Sequence, residues 1–411
     1  MVTVEKKGRK LYPDHLLIVS FFLLTGMGLV TLYSSSYMYA QNFLEDGLYL
    51  IIRQLMFLAL GLVLFLLASH VSLDWIRSGN LPAFFVLFSL VLCVLPFVPG
   101  VGVVKNGAAR WFRIGGETFQ PSELVKLVLP VYLAYIFDKK QSQIDSLSKA
   151  ILPPFLVSLL FVVLIILQNN FFTATFIMAN VLVVFFLAGV KIRYFISAFV
   201  VMLPIAILLV LTKEHRFIRI FSYLNDGWDP HGAGYQVRAS IMTIASGGLW
   251  GKGIGQGLRK LASVPEVQAD FIFASFSEET GFVGVILFYA MFAFFAWRGY
   301  RVALKAPDMY RQLLGFSIVT MIVSQALCNI AVVSGSIPAT GVPLPLFSAG
   351  GSSLITTFIS AGLLVNISRT AEKDEFLSSE EVKFERKRES QSAHSVHNAW
   401  DAQEEVQNAR L

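Results

Sequence analysis

The chain has 411 residues, of which 55% are hydrophobic and 15% charged, with a mean hydropathy of +0.65. That much apolar side chain excludes an ordinary water-soluble domain and points to many membrane spans. The net charge of +6 and two cysteines give no disulfide framework or metal cluster, and no zinc spacing, phosphate-binding glycine loop or nucleotide fingerprint occurs, so nucleic acid is not an expected partner.

A bilayer-length window predicts an all-α polytopic membrane protein with about ten helical spans. They fall near 15–33, 48–69, 81–99, 123–137, 151–169, 171–190, 193–211, 279–297, 313–334 and 350–368. Residues 1–14 carry Lys6, Lys7, Arg9 and Lys10 and no small-residue cleavage site, so span one is read as permanent. Lys139, Lys140 and Lys149 follow span four; Lys191 and Arg193 follow span six; Arg298, Arg301, Lys305 and Arg311 follow span eight. Alternate loops put all of these on one side, which makes that side and both termini cytoplasmic.

The opposite loops are Glu45-Asp46, the 100–122 connection, a long extracellular loop at 212–278 between spans seven and eight, and 335–349. The 100–122 loop holds Lys105, Arg110 and Arg113. The long loop holds Lys213, Arg216, Arg219, Arg238, Lys252, Arg259 and Lys260. Long translocated loops escape the charge rule, so these are either a solvated face or a surface for an anionic ligand.

Four constellations along the outer side could carry chemistry. In the first, Asn106-Gly107-Ala108-Ala109-Arg110-Trp111 precedes Gln120-Pro121-Ser122-Glu123 and Lys126. Pro121 marks a helix start, and Glu123 and Lys126 share a helical face, either as a structural ion pair or in substrate binding. An arginine fork beside an interfacial tryptophan suits a phosphate at headgroup depth.

The second runs from Trp228-Asp229-Pro230 through Gly234-Tyr235-Gln236 to Ser246-Gly247-Gly248-Leu249-Trp250-Gly251-Lys252-Gly253-Ile254-Gly255. It reads as tight turns, with backbone amides open to a ligand as the alternative. The third is Pro265-Glu266 leading to Asp270 and then Glu278-Glu279-Thr280-Gly281. If the helix already runs through Phe271, Asp270 and Ser277 share a face, and Asp270 is either a helix N-terminal acid or a general base. The fourth is Pro338 and Gly341-Val342-Pro343-Leu344-Pro345-Leu346-Phe347-Ser348-Ala349-Gly350-Gly351-Ser352-Ser353. Irregular backbone at membrane depth survives only against a cavity or buried in protein.

Taken in order, these motifs resemble the SEDS family of bacterial cell-wall proteins over about residues 15–368. The family's Asn-Gly-Ala-x-Arg-Trp, Gln-Pro-Ser-Glu-x-x-Lys, Asp-Phe-Ile-Phe-Ala, Glu-Glu-x-Gly, Pro-Leu-Pro and Ser-x-Gly-Gly-Ser-Ser patterns match here. Gln268-Ala269 stands where the family has His-Thr, and Asn169-Asn170-Phe171-Phe172-Thr173 keeps only the threonine of Pro-Asp-x-Gly-Thr. The resemblance implies a ten-span fold and an inverting peptidoglycan glycosyltransferase that polymerises lipid II, the undecaprenyl-diphosphate-linked disaccharide peptide, on the outer leaflet. It implies Asp270 as the catalytic acid residue. The substrate-binding set expected from the matched motifs is Arg110, Glu123, Lys126, Gln236, Lys252, Glu279, Pro343, Ser348, Gly350, Gly351 and Ser352.

Arg110 and Lys126 are expected to receive the departing diphosphate; no cofactor is required by the motifs, and a divalent metal (Mg or Mn) is left open. The expected partners are a class B penicillin-binding protein and other divisome membrane proteins in the bacterial cytoplasmic membrane. Gly253–Lys260 and the charged tail look closer to the septal branch, FtsW, than to the elongation branch, RodA. The rival readings are a lipid II flippase and a non-catalytic scaffold. The tail, 369–411, is rich in Glu, Lys, Arg, Ser, Gln and Asn and is expected to be a disordered cytoplasmic segment.

Overall fold

The computed structural model describes residues 13–105, 107–224, 232–257 and 267–370. The amino-terminal lysines, Asn106, Trp228-Asp229-Pro230, Arg259, Lys260, Pro265-Glu266 and the tail beyond Thr370 lie outside the described residues.

The chain is a polytopic helical membrane protein. Its helices are α1 (His15–Phe43), α2 (Tyr49–His70), α3 (Leu73–Arg77), α4 (Leu81–Val94), α5 (Pro121–Lys139), α6 (Leu152–Leu167) and α7 (Phe171–Leu187). After these come α8 (Ile192–Leu211), α9 (Glu214–Leu224), α10 (Ala233–Ser246), α11 (Ile272–Leu304), α12 (Met309–Val333) and α13 (Gly351–Thr370). Each expected span falls on a helix. Among the described residues seven helices are long and apolar enough to cross a membrane, and Leu81–Phe97 and Phe171–Leu187 are shorter apolar helices. Helix α5 is set apart by Glu123, Lys126, Asp138 and Lys139.

Sequence chemistry explains the helix starts. The Asp14 carboxylate accepts from the Leu17 amide at 3.0 Å and caps α1. Asp308 caps α12 through the Arg311 amide at 2.9 Å, and Pro121 opens α5, where its missing N–H costs nothing. Because lipid tails are as apolar as the side chains they replace, helix association rests on close packing. Phe21 of α1 meets Phe65 of α2, Phe295 of α11 and Phe358 of α13 at centroid separations of 6.0, 6.1 and 4.9 Å. Helix α8, by contrast, has no buried residue.

At the inner ends, charges close on one another. Arg311 pairs with Asp308 and, at 2.9 Å, with Asp74. Arg77 lies 3.6 Å from Asp138 and 3.7 Å from Asp308, and Arg298 pairs with Asp14.

Two outer segments depart from the all-α expectation. Residues 100–122 fold into a three-stranded antiparallel sheet, β1 (Gly102–Lys105), β2 (Ala108–Ile114) and β3 (Glu117–Phe119), in that order. Ile114 pairs with Glu117 across the two-residue Gly115-Gly116 turn, whose φ values of 55° and 92° suit a type I′ hairpin. The segment expected as a loop to residue 278 contains α9 and α10, and α11 begins at Ile272. Gly281 interrupts α11 with φ 65° and ψ −167°.

Candidate active site

A cavity of about 990 Å³ opens at the outer end of the bundle. One wall is the start of α2, with Tyr49, Arg53, Gln54 and Phe57. Another is β2 with the α6–α7 turn, through Ala108, Arg110, Asn169 and Asn170. Lys213 and Arg219 close a third side, and Gln268, Asp270, Gly341, Pro343 and Gly350–Ser352 complete the lining.

Asp270 sits in the turn just before α11, with Phe271 as the helix N-cap. This corrects the expectation that it shares a helical face with Ser277: that hydroxyl is buried and donates to the Phe273 carbonyl at 2.7 Å. Backbone bonds fix the turn, since the Ala349 amide donates to the Gln268 carbonyl at 2.8 Å. The carboxylate of Asp270 lies against Gly341, where a Cβ would come within 3.3 Å of Oδ2. Gly341 has φ 71°, so a side chain there would be both strained and pressed on the acid.

Arg110 reaches from β2 to the Asn169 carbonyl at 2.5 Å, with its guanidinium 5.9 Å from the Trp111 ring centroid. Its Nε is buried without a hydrogen-bond partner among the described residues. Arg219, from α9, donates to the Ala339 carbonyl at 3.2 Å and lies over Phe172. Burial lowers the pKa of Arg110, Arg219 lowers it further by repulsion, and Asp270 acts in the opposite direction. Burial likewise lowers that of Arg219, again opposed by Asp270. Two guanidinium groups held close in a partly desolvated cavity favour an anionic ligand, which would relieve both the burial and the repulsion.

Glu123 and Lys126 form an ion pair at 2.7 Å, with only 4% and 5% of each residue exposed. Lys126 also donates to Gln325 Oε1 at 2.9 Å. Glu123 lines the cavity and Lys126 does not, because the ammonium turns away from the opening to reach Gln325.

Of the remaining expected positions, Pro343, Gly350, Gly351 and Ser352 line the cavity. Ser352 Oγ also accepts from the Gln120 amide at 3.1 Å, which ties α13 to the start of α5. Ser348 lies off the lining, accepting from the Leu344 amide at 2.9 Å to close its own turn. Gln236, Lys252 and Glu279 also lie off it. Gln236 is carried on α10; the exposed Lys252 has its amide bonded to the Glu278 carbonyl at 2.9 Å; and buried Glu279 accepts from Ser34. The glycine-rich turn thus packs along the Gly281 break, and its amides are used within the protein.

Sequence reasoning did not single out Arg219, Lys213, Asn170 or the α2 residues Arg53 and Gln54. A signal existed for the last two, a charge and an amide inside an apolar span. Arg53 pairs with Glu117 of β3, through Nε at 2.8 Å, so α2 and the sheet are joined at the cavity rim. Among the described residues no group of three or more His, Cys, Asp or Glu side chains could hold a metal, and no chemistry below is routed through one.

The family described as cell cycle protein, which groups FtsW, RodA and SpoVE, matches residues 14–373. Stage V sporulation protein E of Bacillus subtilis (strain 168) is 37% identical over 361 residues, covering 88% of this chain and 98% of that protein. The probable peptidoglycan glycosyltransferase FtsW of Geobacter sulfurreducens (strain DL-1 / KN400) is 38% identical over 356 residues, covering 86% and 95%. Among solved structures, a chain of a peptidoglycan synthase complex, described as coordinating polymerization and crosslinking, superposes with a TM-score of 0.74 at 28% identity. It covers 88% of this chain and 99% of that one. The rod shape determining protein RodA of Thermus thermophilus gives a TM-score of 0.64 at 29% identity, over 87% and 97%.

Proposed function

The chain belongs to the FtsW, RodA and SpoVE family of cell cycle proteins, and from that premise we propose that the outer cavity polymerises lipid II into glycan strands. The observation that carries the reading is the meeting of Asp270, Arg110 and Arg219 on the walls of one large cavity at the outer end of the bundle.

The reaction is a single inverting displacement. The sugar 4-hydroxyl oxygen of one lipid-linked disaccharide bonds to the anomeric carbon of another, and the bond from that carbon to the diphosphate oxygen breaks. A hydroxyl is a poor nucleophile near neutral pH, so its proton must leave as the new bond forms; Asp270 takes it. The leaving undecaprenyl diphosphate gathers negative charge, which Arg110 and Arg219 face. Guanidinium groups bind phosphate oxygens in bidentate fashion, and preorganised cations gain strength where water is scarce. Lys126 is assigned elsewhere, because Glu123 already neutralises it. A divalent ion coordinated by diphosphate oxygens and one carboxylate would fit the general habit of magnesium, and Asp270 is the cavity acid that would offer it.

The names of the sequence relatives support a division or sporulation role over elongation, and we place the protein at the division septum of the cytoplasmic membrane. A class B penicillin-binding protein is the partner this reading calls for, since the matched synthase complex joins polymerization to crosslinking.

Purified protein in liposomes with lipid II tests the reading. Glycan polymer is the expected product, and Asp270→Asn is expected to lower turnover by roughly 10²–10⁴-fold, the usual contribution of a positioned base. Lipid II movement between leaflets without polymer, with or without the partner, would instead identify a flippase.

A further inference from the structure

Two buried carboxamides stand behind the cavity wall, and neither lines it. Gln325 and Asn329 lie four residues apart on one face of α12, with 4% and 1% of each exposed. Lys126 donates to Gln325 Oε1 at 2.9 Å, which fixes the amide so that Nε2 points to the Pro343 carbonyl, also at 2.9 Å. Asn329 Nδ2 donates twice, to the Asp270 carbonyl at 2.7 Å and to the Val342 carbonyl at 2.8 Å. One nitrogen thus clasps the turn carrying the acid to the segment beside Gly341, the residue against which the Asp270 carboxylate rests. The second amide, one helical turn away, holds the next carbonyl of that segment.

We propose that Asn329 is a positioning residue for glycosyl transfer: it sets the Asp270 carboxylate at its working distance from the sugar hydroxyl, and Gln325, oriented by Lys126, keeps the opposing wall in register. The proposal rests on Asp270 being the base. The chemistry of the position is selective. Joining two carbonyls through one atom needs two N–H bonds from a neutral group. A carboxylate would set acceptors against acceptors, and an aliphatic isostere would leave two buried carbonyls without partners. A reacting group displaced by about 1 Å loses on the order of 10²-fold in rate, so loosening this clasp acts on the chemical step.

The test uses full-length protein in liposomes with lipid II, with kcat and KM resolved separately and the thermal midpoint recorded. Asn329→Leu and Asn329→Asp are expected to lower kcat by about 10–100-fold while KM stays nearly constant. Gln325→Met is expected to lower kcat in the same sense by a smaller factor. If folded Asn329→Leu keeps the parental kcat, or if KM alone rises, the proposal is overturned. If that variant does not fold, Gln325→Met decides by the same criterion. Asp270→Asn separates the two levels: if it is as active as the parent, the base assignment has failed. If it is inactive while both amide variants keep full kcat, only the positioning role has failed.

Discussion

The two ends of the helix bundle use charge in opposite ways. At the inner end Arg311, Arg77 and Arg298 each have carboxylates within ion-pair distance, on other helices or in the segment preceding α1. At the outer end neither Arg110 nor Arg219 has a carboxylate within that distance among the described residues, and both hydrogen-bond to backbone carbonyls. Charges of the first kind neutralise one another and join elements; those of the second kind keep their field for something that enters the cavity. The Glu123–Lys126 pair lies between these cases, self-neutralised like the inner pairs yet bordering the outer cavity.

That contrast separates stability from activity in mutants. Lys126→Met strands a buried carboxylate and is expected to destabilise the fold by about 3–5 kcal/mol, whereas the double variant with Glu123→Gln should recover most of the loss. Thermal unfolding in detergent reads both, and an unchanged midpoint for the single variant would erase the intermediate class. Arg110→Ala should reverse the pattern, lowering polymerisation by roughly 10²–10³-fold. Its thermal midpoint should hold or rise, because burial and Arg219 both disfavour the charged guanidinium in the fold. Arg77→Ala is expected to have the smallest effect, below about 1 kcal/mol in stability with full turnover, since its ion pairs are long and part-exposed. A large activity loss in that last variant would remove the distinction between the two ends.

Much of the site was legible before any coordinates. Arg110 stood out because a guanidinium beside an interfacial tryptophan is costly without a purpose, and Asp270 because an acid at a loop-to-span junction is equally so. The proline- and glycine-rich approach to α13 read as a cavity wall, and Pro343, Gly350, Gly351 and Ser352 do line one. The strands were missed, although Val103-Val104 and the Gly-Gly turn carried a hairpin signal, because the loop was treated as connection alone. Arg219 was one of several loop cations, and nothing local distinguished it from Arg238 or Lys252.

Apolar runs of bilayer length and the inward bias of lysine and arginine determined, from sequence alone, that this is a multi-pass helical protein with its chemistry at the outer end. Those signals are local, since a span must satisfy its own backbone hydrogen bonds and a basic loop resists translocation by itself. Tertiary structure alone decided that Lys126 faces Glu123 and Gln325, that Arg219 stands beside Arg110, and that one asparagine on α12 grips the backbone of Asp270. These are meetings between residues as much as 199 positions apart, and which side chains meet over such separations is set by how the helices pack.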